Sequence, residues 1–287
     1  MSFNHFSLTE ECLHSVLATN YPNLSIILVD NGSTDNTPEK VRNRFVGIKI
    51  IEIGQNLGVP AGYNVGFKYA LEQGADYILM LNNDTTISVN FINKLIETAE
   101  RDPKTGIVMP KVVYQGKEEK VWSSGGRYRR FPPAILMTDN RKGMQEKTRL
   151  IEFAPACGLL IHRRAFERAG LFDPGFFFFF EDWDFSERVR ANGLNIWYTP
   201  STLLIHKGSS TTLGPQSRLY WRVYGESIVR FYKRHGSPVW LSLPIHLGYI
   251  ILREIFWKWN WKYWPDFIQG VKEGFRKPLG RIPNTIN

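Results

Sequence analysis

The chain has 287 residues, of which 43% are hydrophobic and 22% are charged, proportions that predict a folded protein with one principal core and argue against a disordered chain or a polytopic membrane protein. The net charge is +9 and lies mostly at the C-terminal end, because residues 214–287 hold 12 of the 36 Lys and Arg residues but only 4 of the 27 Asp and Glu residues. Such a basic segment is typical of proteins that meet nucleic acid, an anionic bilayer or an acidic partner.

The first part of the chain alternates between patterns typical of helices and of buried strands. Apolar residues at helical spacing and capping signals predict the helices, and short aliphatic runs predict the strands. In chain order these are a helix that begins at the capping-box sequence 7–10 and ends at Thr19, a strand over 24–29, a helix over 37–44, a strand over 48–53, a helix from the glycine-rich passage 54–62 to Gln73, and a strand over 77–81. This alternation predicts a parallel sheet with helices on both faces.

The second part of the sequence changes to shorter strands and turns from about Val108. An apolar run over residues 156–161 predicts a strand that completes the sheet, and helices are predicted over 163–169 and 182–192. A run of five phenylalanines, 176–180, lies between these helices. We expect it to contribute to the core.

Acidic clusters stand at three predicted turns, residues 30–35, 82–84 and 181–184. Asp30 and Asp84 end predicted strands, and sheets of this kind bind ligands at the C-terminal ends of their strands. A transferase that acts on a sugar diphosphate needs a divalent cation to neutralise the leaving diphosphate, for which carboxylates are suitable ligands, and a base for the acceptor hydroxyl. Asp84 suits the first role and Asp182 suits the second.

Several sequence segments occur in an order that is more specific than any one of them. They are the strand and turn 26–37, Asn56-Leu57-Gly58 through Gly62-Tyr63-Asn64-Val65-Gly66, Leu81-Asn82-Asn83-Asp84-Thr85, Phe180-Glu181-Asp182-Trp183-Asp184 with Arg188 and Gly193, and His206 with Gly208 and Ser210. In this order they resemble glycosyltransferase family 2, most closely its rhamnosyltransferase-like branch. The resemblance covers most of residues 4–213.

The resemblance implies an α/β fold of the GT-A type, a Rossmann-like mixed sheet with helices on both faces, followed by a C-terminal helical tail. It also implies that Asp84 binds a divalent metal, Mn²⁺ or Mg²⁺, that His206 completes the metal shell, and that Asp182 is the base of an inverting transfer. Because Asn82 stands where the family's metal motif begins with Asp, we expect the metal to bind weakly without the donor's diphosphate. The residues implied for the UDP- or dTDP-sugar donor are Asp30, Asn31, Ser33, Asp35, Asn56, Gly58, Asn64, Asn83 and Asp84, and those implied for the acceptor site or its surroundings are Glu181, Trp183, Asp184 and Arg188.

One departure from the family concerns the start of the sequence. The family opens with an apolar strand that ends in Tyr-Asn or Trp-Asn, whereas only Met1-Ser2-Phe3 precede Asn4 here. We therefore expect the first strand and part of the base pocket to be missing, with an upstream start or a truncated form as the two explanations.

Ordinary structural roles compete with the functional ones at single positions. The sequence 30–32 is typical of a turn, because Asn and Gly tolerate left-handed backbone angles. Asp182 and Asp184 also suit helix capping, where the helix dipole favours a carboxylate, and His206 suits a hydrogen-bonded core position. The glycines in 58–66 match neither the dinucleotide fingerprint nor a P-loop, which disfavours nicotinamide and ATP chemistry.

Residues 214–287 are predicted to form a membrane-associating tail that follows a catalytic domain over residues 1–213. The apolar stretch 239–252 contains Pro244 and falls short of the roughly 20 residues that span a bilayer. Beyond it, four tryptophans lie among lysines, namely Trp257, Trp259, Trp261 and Trp264. This mixture suits a membrane interface, and packing on the catalytic domain or on a second subunit is the alternative.

Together these features predict a peripheral enzyme at the cytoplasmic face of the cell membrane that transfers a sugar, with rhamnose as the candidate, to a lipid-linked or polysaccharide acceptor in cell-surface glycan synthesis. Cys12 and Cys157 lack C-x-x-C spacing and the N-terminus lacks a signal-peptide pattern, which fits a reducing compartment. The alternative is a non-catalytic or truncated sugar-nucleotide-binding relative. Nucleic-acid binding is disfavoured by the tryptophans of the tail, and the sequence leaves the oligomeric state open.

Overall fold

The computed structural model describes residues 1–130, 133–136, 143–208, 217–236, 239–252 and 261–283. The motif residue Ser210 and the tail residues Trp257 and Trp259 lie outside these ranges. In the first part of the chain the elements are α1 Phe6–Leu17, β1 Ile27–Asp30, α2 Thr37–Arg44, β2 Lys49–Glu52, α3 Val59–Glu72, β3 Tyr77–Leu81, β4 Thr85–Ile87 and α4 Phe91–Ala99. They are followed by β5 Thr105–Tyr114, β6 Lys117–Ser123, β7 Arg127–Arg130, β8 Pro133–Leu136, β9 Arg149–Leu150, β10 Gly158–His162, α5 Arg163–Ala169, α6 Glu181–Ala191 and β11 Asn195–His206. The C-terminal helices are α7 Arg218–His235, α8 Val239–Ile250 and α9 Trp264–Arg276.

The first helix differs from its prediction at its start. α1 begins at Phe6, after Asn4 and His5 with φ angles of 56° and 60°, and the side chain of its N-cap residue His5 makes no capping hydrogen bond, whereas Asp35 Oδ2 accepts from the N–H of Phe6 at 3.4 Å. The predicted capping box at 7–10 is therefore wrong. The reason is a tertiary contact, because the backbone N–H of Asn4 donates to Ser33 Oγ (2.7 Å) and so fixes how the chain enters the helix.

The strands of the described residues form a larger mixed sheet, a small parallel one and an antiparallel pair, β7 with β8. β1 and β2 pair in parallel. The larger sheet has the order β3-β10-β5-β11-β4, with β6 added beside β5 and β9 beside β11. β10 is antiparallel to β3 and β5, whereas β11 is parallel to β5. The mixed sheet implied by the family resemblance is thus confirmed, and the purely parallel sheet predicted from the strand-helix alternation is wrong.

The first two residues lie at the boundary between the larger sheet and the small parallel one. Ser2 forms a parallel bridge with Asp30, at the end of β1. The N–H of Ser2 donates to the carbonyl of Val29 (2.8 Å), and the amino group of Met1 donates to the carbonyl of Leu81 (3.2 Å), at the end of β3. At the place of the family's first strand, Met1 and Ser2 therefore connect the ends of β1 and β3 by hydrogen bonds.

Two hydrophobic clusters account for most of the buried apolar surface. The larger lies on the main sheet and includes Phe91, Leu95 and Phe166. The second joins residues on both sides of the predicted domain boundary, namely Phe153, Phe176, Phe180, Trp183, Trp221, Ile228, Val229, Phe231, Tyr232, Leu243, Ile250, Tyr263 and Phe267. The division at residue 213 stays a prediction, but α7 shares a core with the phenylalanine run and with α6.

Glycines allow α7 and α9 to approach each other closely. A Cβ on Gly270 would lie 1.9 Å from the carbonyl oxygen of Arg222, and a Cβ on Gly225 would lie 2.5 Å from that of Phe267. Because any side chain there would clash with backbone, the two helices pack backbone against backbone. In the described part of the chain, no helix has both the length and the apolarity to cross a bilayer.

Candidate active site

The end of β11 brings His206 to Asp84. β11 pairs with β4 so that His206 stands opposite Thr85, the residue after Asp84. His206 Nε2 lies 3.4 Å from Asp84 Oδ2, and both residues are buried. Burial lowers the pKa of His206, although the carboxylate of Asp84 partly opposes this effect. A neutral imidazole beside a carboxylate is a pair of side chains that can coordinate one divalent cation.

The two asparagines before Asp84 are held by the protein. The hydroxyl of Tyr63 donates to Asn82 Oδ1 (2.6 Å), and Asn83 Nδ2 donates to Thr9 Oγ1 (3.0 Å). Burial raises the pKa of Tyr63 well above its usual value, with the nearby charge of Asp84 acting in the same direction. The asparagine side chains thus contact Tyr63 and Thr9, and the carboxylate of Asp84 is the group of this motif that lies beside His206.

Asp182 lies in the first turn of α6. Its Oδ2 accepts a hydrogen bond from the backbone N–H of Ala156 (3.1 Å), and its Oδ1 accepts one from its neighbour Trp183 (2.9 Å). Burial raises the pKa of Asp182 to about 6, because the two N–H groups offset only part of the desolvation. Such a carboxylate is mostly ionised at neutral pH and is basic enough to take a proton.

Cys157 is a buried residue whose pKa is affected by both carboxylates. It directly precedes β10, whose Gly158 pairs with Leu81 at the end of β3. The pKa of Cys157 is raised by burial and then by the charges of Asp84 and Asp182. Ala156, the residue before Cys157, donates to Asp182, and Gly158, the residue after it, pairs with Leu81, so the segment 156–158 links the predicted base to the end of the strand before Asp84.

Glu181 is an acid in an environment that favours its protonated form. It is buried, and its pKa is raised well above the usual value by burial and by the charge of Asp182. Its Oε2 has no hydrogen-bonding partner among the described residues. A protonated carboxyl can donate a hydrogen bond, so Glu181 is suited to hold a hydroxyl near Asp182.

The turn after β1 is held together by its own side chains. Asp30 accepts hydrogen bonds from the backbone N–H of Ser33 (2.9 Å), from the hydroxyl of Ser33 and from the hydroxyl of Ser2 (3.3 Å). Asp35 accepts from the backbone N–H (3.1 Å) and the hydroxyl (2.6 Å) of Thr37, at the start of α2. These contacts keep Asp30, Ser33 and Asp35 at one end of β1.

Asn31 links the glycine-rich passage to this turn by hydrogen bonds. Its Nδ2 donates to Asn56 Oδ1 (3.1 Å) and to the carbonyl of Gly58 (3.2 Å). Gly58 has a φ of +83°, and a Cβ there would lie 2.5 Å from the carbonyl oxygen of Phe177. Three predicted donor residues are thus in contact, and the glycine permits the phenylalanine run to approach them.

Other predicted residues have structural partners instead. Asn64 exchanges two hydrogen bonds with the backbone of Phe172 (2.8 and 3.0 Å), so its amide is engaged in the core. Trp183 stacks on Phe153 with ring centroids 3.5 Å apart. Asp184 and Arg188 form a buried ion pair of 2.8 Å, and they join α6 to α7.

Sequence reasoning did not identify Tyr63 or Cys157 as neighbours of the site, or Arg234 and His235 as partners of α6. Tyr63 lies within a quoted motif, but the two α7 residues belong to a basic segment that predicts solvent-exposed charge. A cavity of about 480 Å³ lies apart from the site and includes Lys104, Arg127, Arg149 and Arg190 in its lining. None of the predicted site residues lines it.

Comparisons with known proteins identify the family of the chain. The sequence pattern described as Glycosyl transferase family 2 matches residues 1–170. The N-acetylglucosaminyl-diphospho-decaprenol L-rhamnosyltransferase of Mycobacterium tuberculosis is 27% identical to this chain over 224 residues, which cover 71% of this chain and 73% of that protein.

Solved structures show the same fold at low sequence identity. GalNAc-T7 with UDP, GalNAc and Mn²⁺ matches with a TM-score of 0.56 and 19% identity, covering 80% of this chain, which spans 48% of that one. The mannosyltransferase PcManGT from Pyrobaculum calidifontis, in complex with GDP-Man and Mn²⁺, matches with a TM-score of 0.54 and 14% identity over 96% of this chain and 74% of that one. The fold is therefore that of the GT-A glycosyltransferases, and the chain belongs to glycosyl transferase family 2 as a glycosyltransferase.

Proposed function

We propose that the chain is an inverting, metal-dependent glycosyltransferase that moves a sugar, with L-rhamnose as the first candidate, from a UDP- or dTDP-linked donor to a lipid-linked sugar diphosphate. The observation that carries this proposal is that Asp84 lies beside His206, while the segment 156–158 both donates to Asp182 from Ala156 and pairs through Gly158 with Leu81, at the end of the strand before Asp84. The sugar and the acceptor class are taken from the M. tuberculosis relative, whose name describes a rhamnosyltransferase that acts on a decaprenol-linked sugar.

A divalent metal fits the residues that are present. One carboxylate oxygen and one imidazole nitrogen that lie 3.4 Å apart can share a cation, and hard cations such as Mg²⁺ are bound through one or two protein ligands together with substrate phosphates. The two solved relatives contain Mn²⁺. When bound, the metal would neutralise the charge of the leaving diphosphate, and Asp84 and His206 would hold it there.

In the proposed reaction Asp182 takes the proton of the acceptor hydroxyl while the hydroxyl oxygen bonds to the anomeric carbon of the donor sugar. The bond from that carbon to the diphosphate oxygen breaks, and the diphosphate leaves with the electron pair. A single displacement of this kind inverts the configuration of the carbon. Glu181, as a protonated acid, would orient the acceptor by donating a hydrogen bond to one of its oxygens.

Calorimetric binding of UDP and dTDP, with and without Mn²⁺, tests the donor site. Metal-dependent binding to the intact chain that is lost in Asp84→Ala and weakened in His206→Ala would support the proposal. Asp76→Asn is the matched control. Asp76 is an exposed aspartate that precedes β3, whereas Asp84 follows the same strand. If a folded chain binds neither nucleotide, or if Asp84→Ala binds as the control does, the proposed metal site is refuted.

The proposal includes binding to a membrane surface, supported by an exposed apolar stripe on and just after α8. Leu241, Tyr249 and Leu252 are 36%, 48% and 65% exposed at helical spacing, and Trp240 is 77% exposed beside them. Exposed aromatic and aliphatic residues in a basic segment favour an anionic bilayer surface.

Sedimentation with anionic vesicles tests this binding. The double variant Trp240→Ser with Leu252→Ser should lose vesicle binding. Val46→Ser, at a 98% exposed apolar position outside α8, should retain vesicle binding. Equal sedimentation of both variants would refute the role of the α8 stripe.

A further inference from the structure

We propose that α7 is the element that positions the catalytic base, with Arg234 and His235 as its positioning residues. The inference rests on the proposed role of Asp182 and adds to it a set of residues from the predicted membrane tail. Its basis is a group of buried charges and a strained turn, both of which tie α6 to α7.

Asp184, in the first turn of α6, is surrounded by two arginines and a histidine. Its side chain is fully buried. Arg188, one turn further along α6, lies 2.8 Å from it, and from α7 Arg234 lies at 3.3 Å and His235 at 2.9 Å. Burial alone would raise the pKa of Asp184, but the hydrogen bond from His235 and the charges of the two arginines outweigh it and lower the pKa. The carboxylate therefore stays ionised and holds the two helices together.

Arg234 extends this contact to the segment before α6. Its Nη2 lies 2.9 Å from Asp173 Oδ2, and Asp173 is also bound by both ends of the Arg230 guanidinium, at 2.9 and 3.1 Å. One planar guanidinium thus links two buried carboxylates that flank the phenylalanine run. Arg suits this position because its fork of donors can meet two acceptors at fixed angles.

The turn that leads into α6 is strained and is held by the same helix. Phe179 and Phe180 have φ angles of 70° and 66°, an unfavourable conformation for bulky side chains that persists where the surroundings enforce it. The ring of Phe179 packs on Tyr220 at 4.8 Å, that of Phe180 packs on Phe231 at 5.4 Å, and the hydroxyl of Ser227 on α7 donates to the carbonyl of Phe178. These contacts fix where α6 begins.

Asp182 lies directly after this turn and two residues before Asp184, so a displacement of the α6 start would also displace the base. Its carboxylate receives an N–H from Ala156, in a different part of the chain, and that contact depends on where α6 begins. A misplacement of about 1 Å can lower a rate about 100-fold. The pKa of Asp182 is a second indicator of its position, because burial and the two N–H groups set it.

The test compares Arg234→Lys with Arg222→Lys in the full chain. Lysine retains the charge but has no planar fork to bridge Asp173 and Asp184. Arg222 is the matched control, because it lies on α7 and pairs with Glu273 on α9 at a partly exposed site. In Arg234→Lys we expect kcat to fall by roughly 10- to 100-fold with the donor KM and Mn²⁺-dependent UDP binding unchanged, and the midpoint of the acid limb of kcat to shift. The control should keep all three values.

A second measurement follows Asp182 without requiring turnover. The difference in unfolding free energy between each protein and its Asp182→Asn version, measured across pH 4–8, reports the midpoint of Asp182 titration. We expect this midpoint to move in Arg234→Lys and to stay in Arg222→Lys. If the wild-type protein transfers no sugar, only the proposed function is refuted. The titration midpoint of Asp182 still decides whether α7 positions Asp182.

The proposal is overturned if Arg234→Lys lowers only the melting temperature. Its kcat, the acid limb of its pH profile and its Asp182 titration midpoint would then equal those of Arg222→Lys. In that case α7 contributes stability without positioning. Should Arg234→Lys not fold, His235→Asn, which removes one contact to Asp184 and keeps both arginines, is judged by the same readouts against the same control.

Discussion

Two aspartates on different faces of α6, Asp182 and Asp184, have pKa values that are shifted in opposite directions. Asp182 is half-buried, receives two backbone N–H groups, and has its pKa raised by burial to about 6. Asp184, two residues further, is more deeply buried, yet its pKa is lowered, because contacts with His235, Arg188 and Arg234 outweigh the desolvation. Residues two apart on a helix do not share a face, so one turn can present a base to the site and an anchor to α7.

The comparison shows that burial by itself does not decide the protonation of a carboxyl group. A carboxylate that is desolvated without charged partners becomes a usable base, and a carboxylate that is desolvated among cations becomes a structural anion. We therefore expect substitutions at Asp182 and Asp184 to separate activity from stability.

The largest effect is expected on activity at Asp182. Asp182→Asn removes the proposed base, so kcat should fall by about 100- to 10,000-fold while Mn²⁺-dependent UDP binding is retained. Turnover with a radiolabelled donor and calorimetry measure the two quantities. Glu187→Gln, on the same helix, should keep wild-type activity, and full activity in Asp182→Asn would remove the base from this position.

The next effect is expected on stability at Asp184. Asp184→Ala leaves Arg188, Arg234 and His235, whose side chains are only 11%, 14% and 15% exposed, without their common anion, which should destabilise the protein by about 3–5 kcal/mol. Urea unfolding at pH 7.5 measures it. Because the pKa of Asp184 is lowered in the folded protein, this contribution is present above its unfolded pKa and is lost as the pH falls through the folded value. A loss below 1 kcal/mol would mean that the buried charges do not hold α6 to α7.

The opposite sign is expected for the stability effect at Asp182. The folded pKa of about 6 exceeds the unfolded value of 3.8, so the ionised carboxylate opposes folding at neutral pH. Asp182→Asn should stabilise the protein by about 1–3 kcal/mol above pH 6, and the gain should shrink as the pH falls from 6 to 4. Unfolding curves at pH 4, 5, 6 and 7.5 test this, and a gain that is independent of pH would contradict the shifted pKa.

The smallest effect is expected at the ion pairs on the other side of α7. Arg222 pairs with Glu273 at 2.5 Å, but its side chain is 45% exposed, so solvent weakens the attraction. Arg222→Gln should cost at most about 1 kcal/mol and leave turnover unchanged. A cost comparable to that of Asp184→Ala would remove the distinction between the two sides of the helix.

Most of the local structure could be predicted from the sequence, because it depends on short-range signals. The strand over 77–81 and the helix over 163–169 were predicted with their observed bounds, and Gly74, with a φ of +82°, follows the end of α3 as expected. The capping box at 7–10 was wrong, because a contact with Ser33 overrode the local signal. The donor-binding and acceptor roles assigned to residues from the family resemblance stay predictions.

The sequence by itself determined the alternation of strands and helices, the family, and the positions of Asp84, Asp182 and His206, because these follow from local periodicity and ordered motifs. Only the tertiary structure decided that β10 lies antiparallel between β3 and β5, that Ala156 donates a hydrogen bond to Asp182, and that α7 contacts α6 through Asp184. Strand order and helix docking depend on contacts between residues far apart in the chain. A basic segment looks the same in sequence whether its arginines face solvent or are buried against Asp173 and Asp184, and only packing separates the two cases.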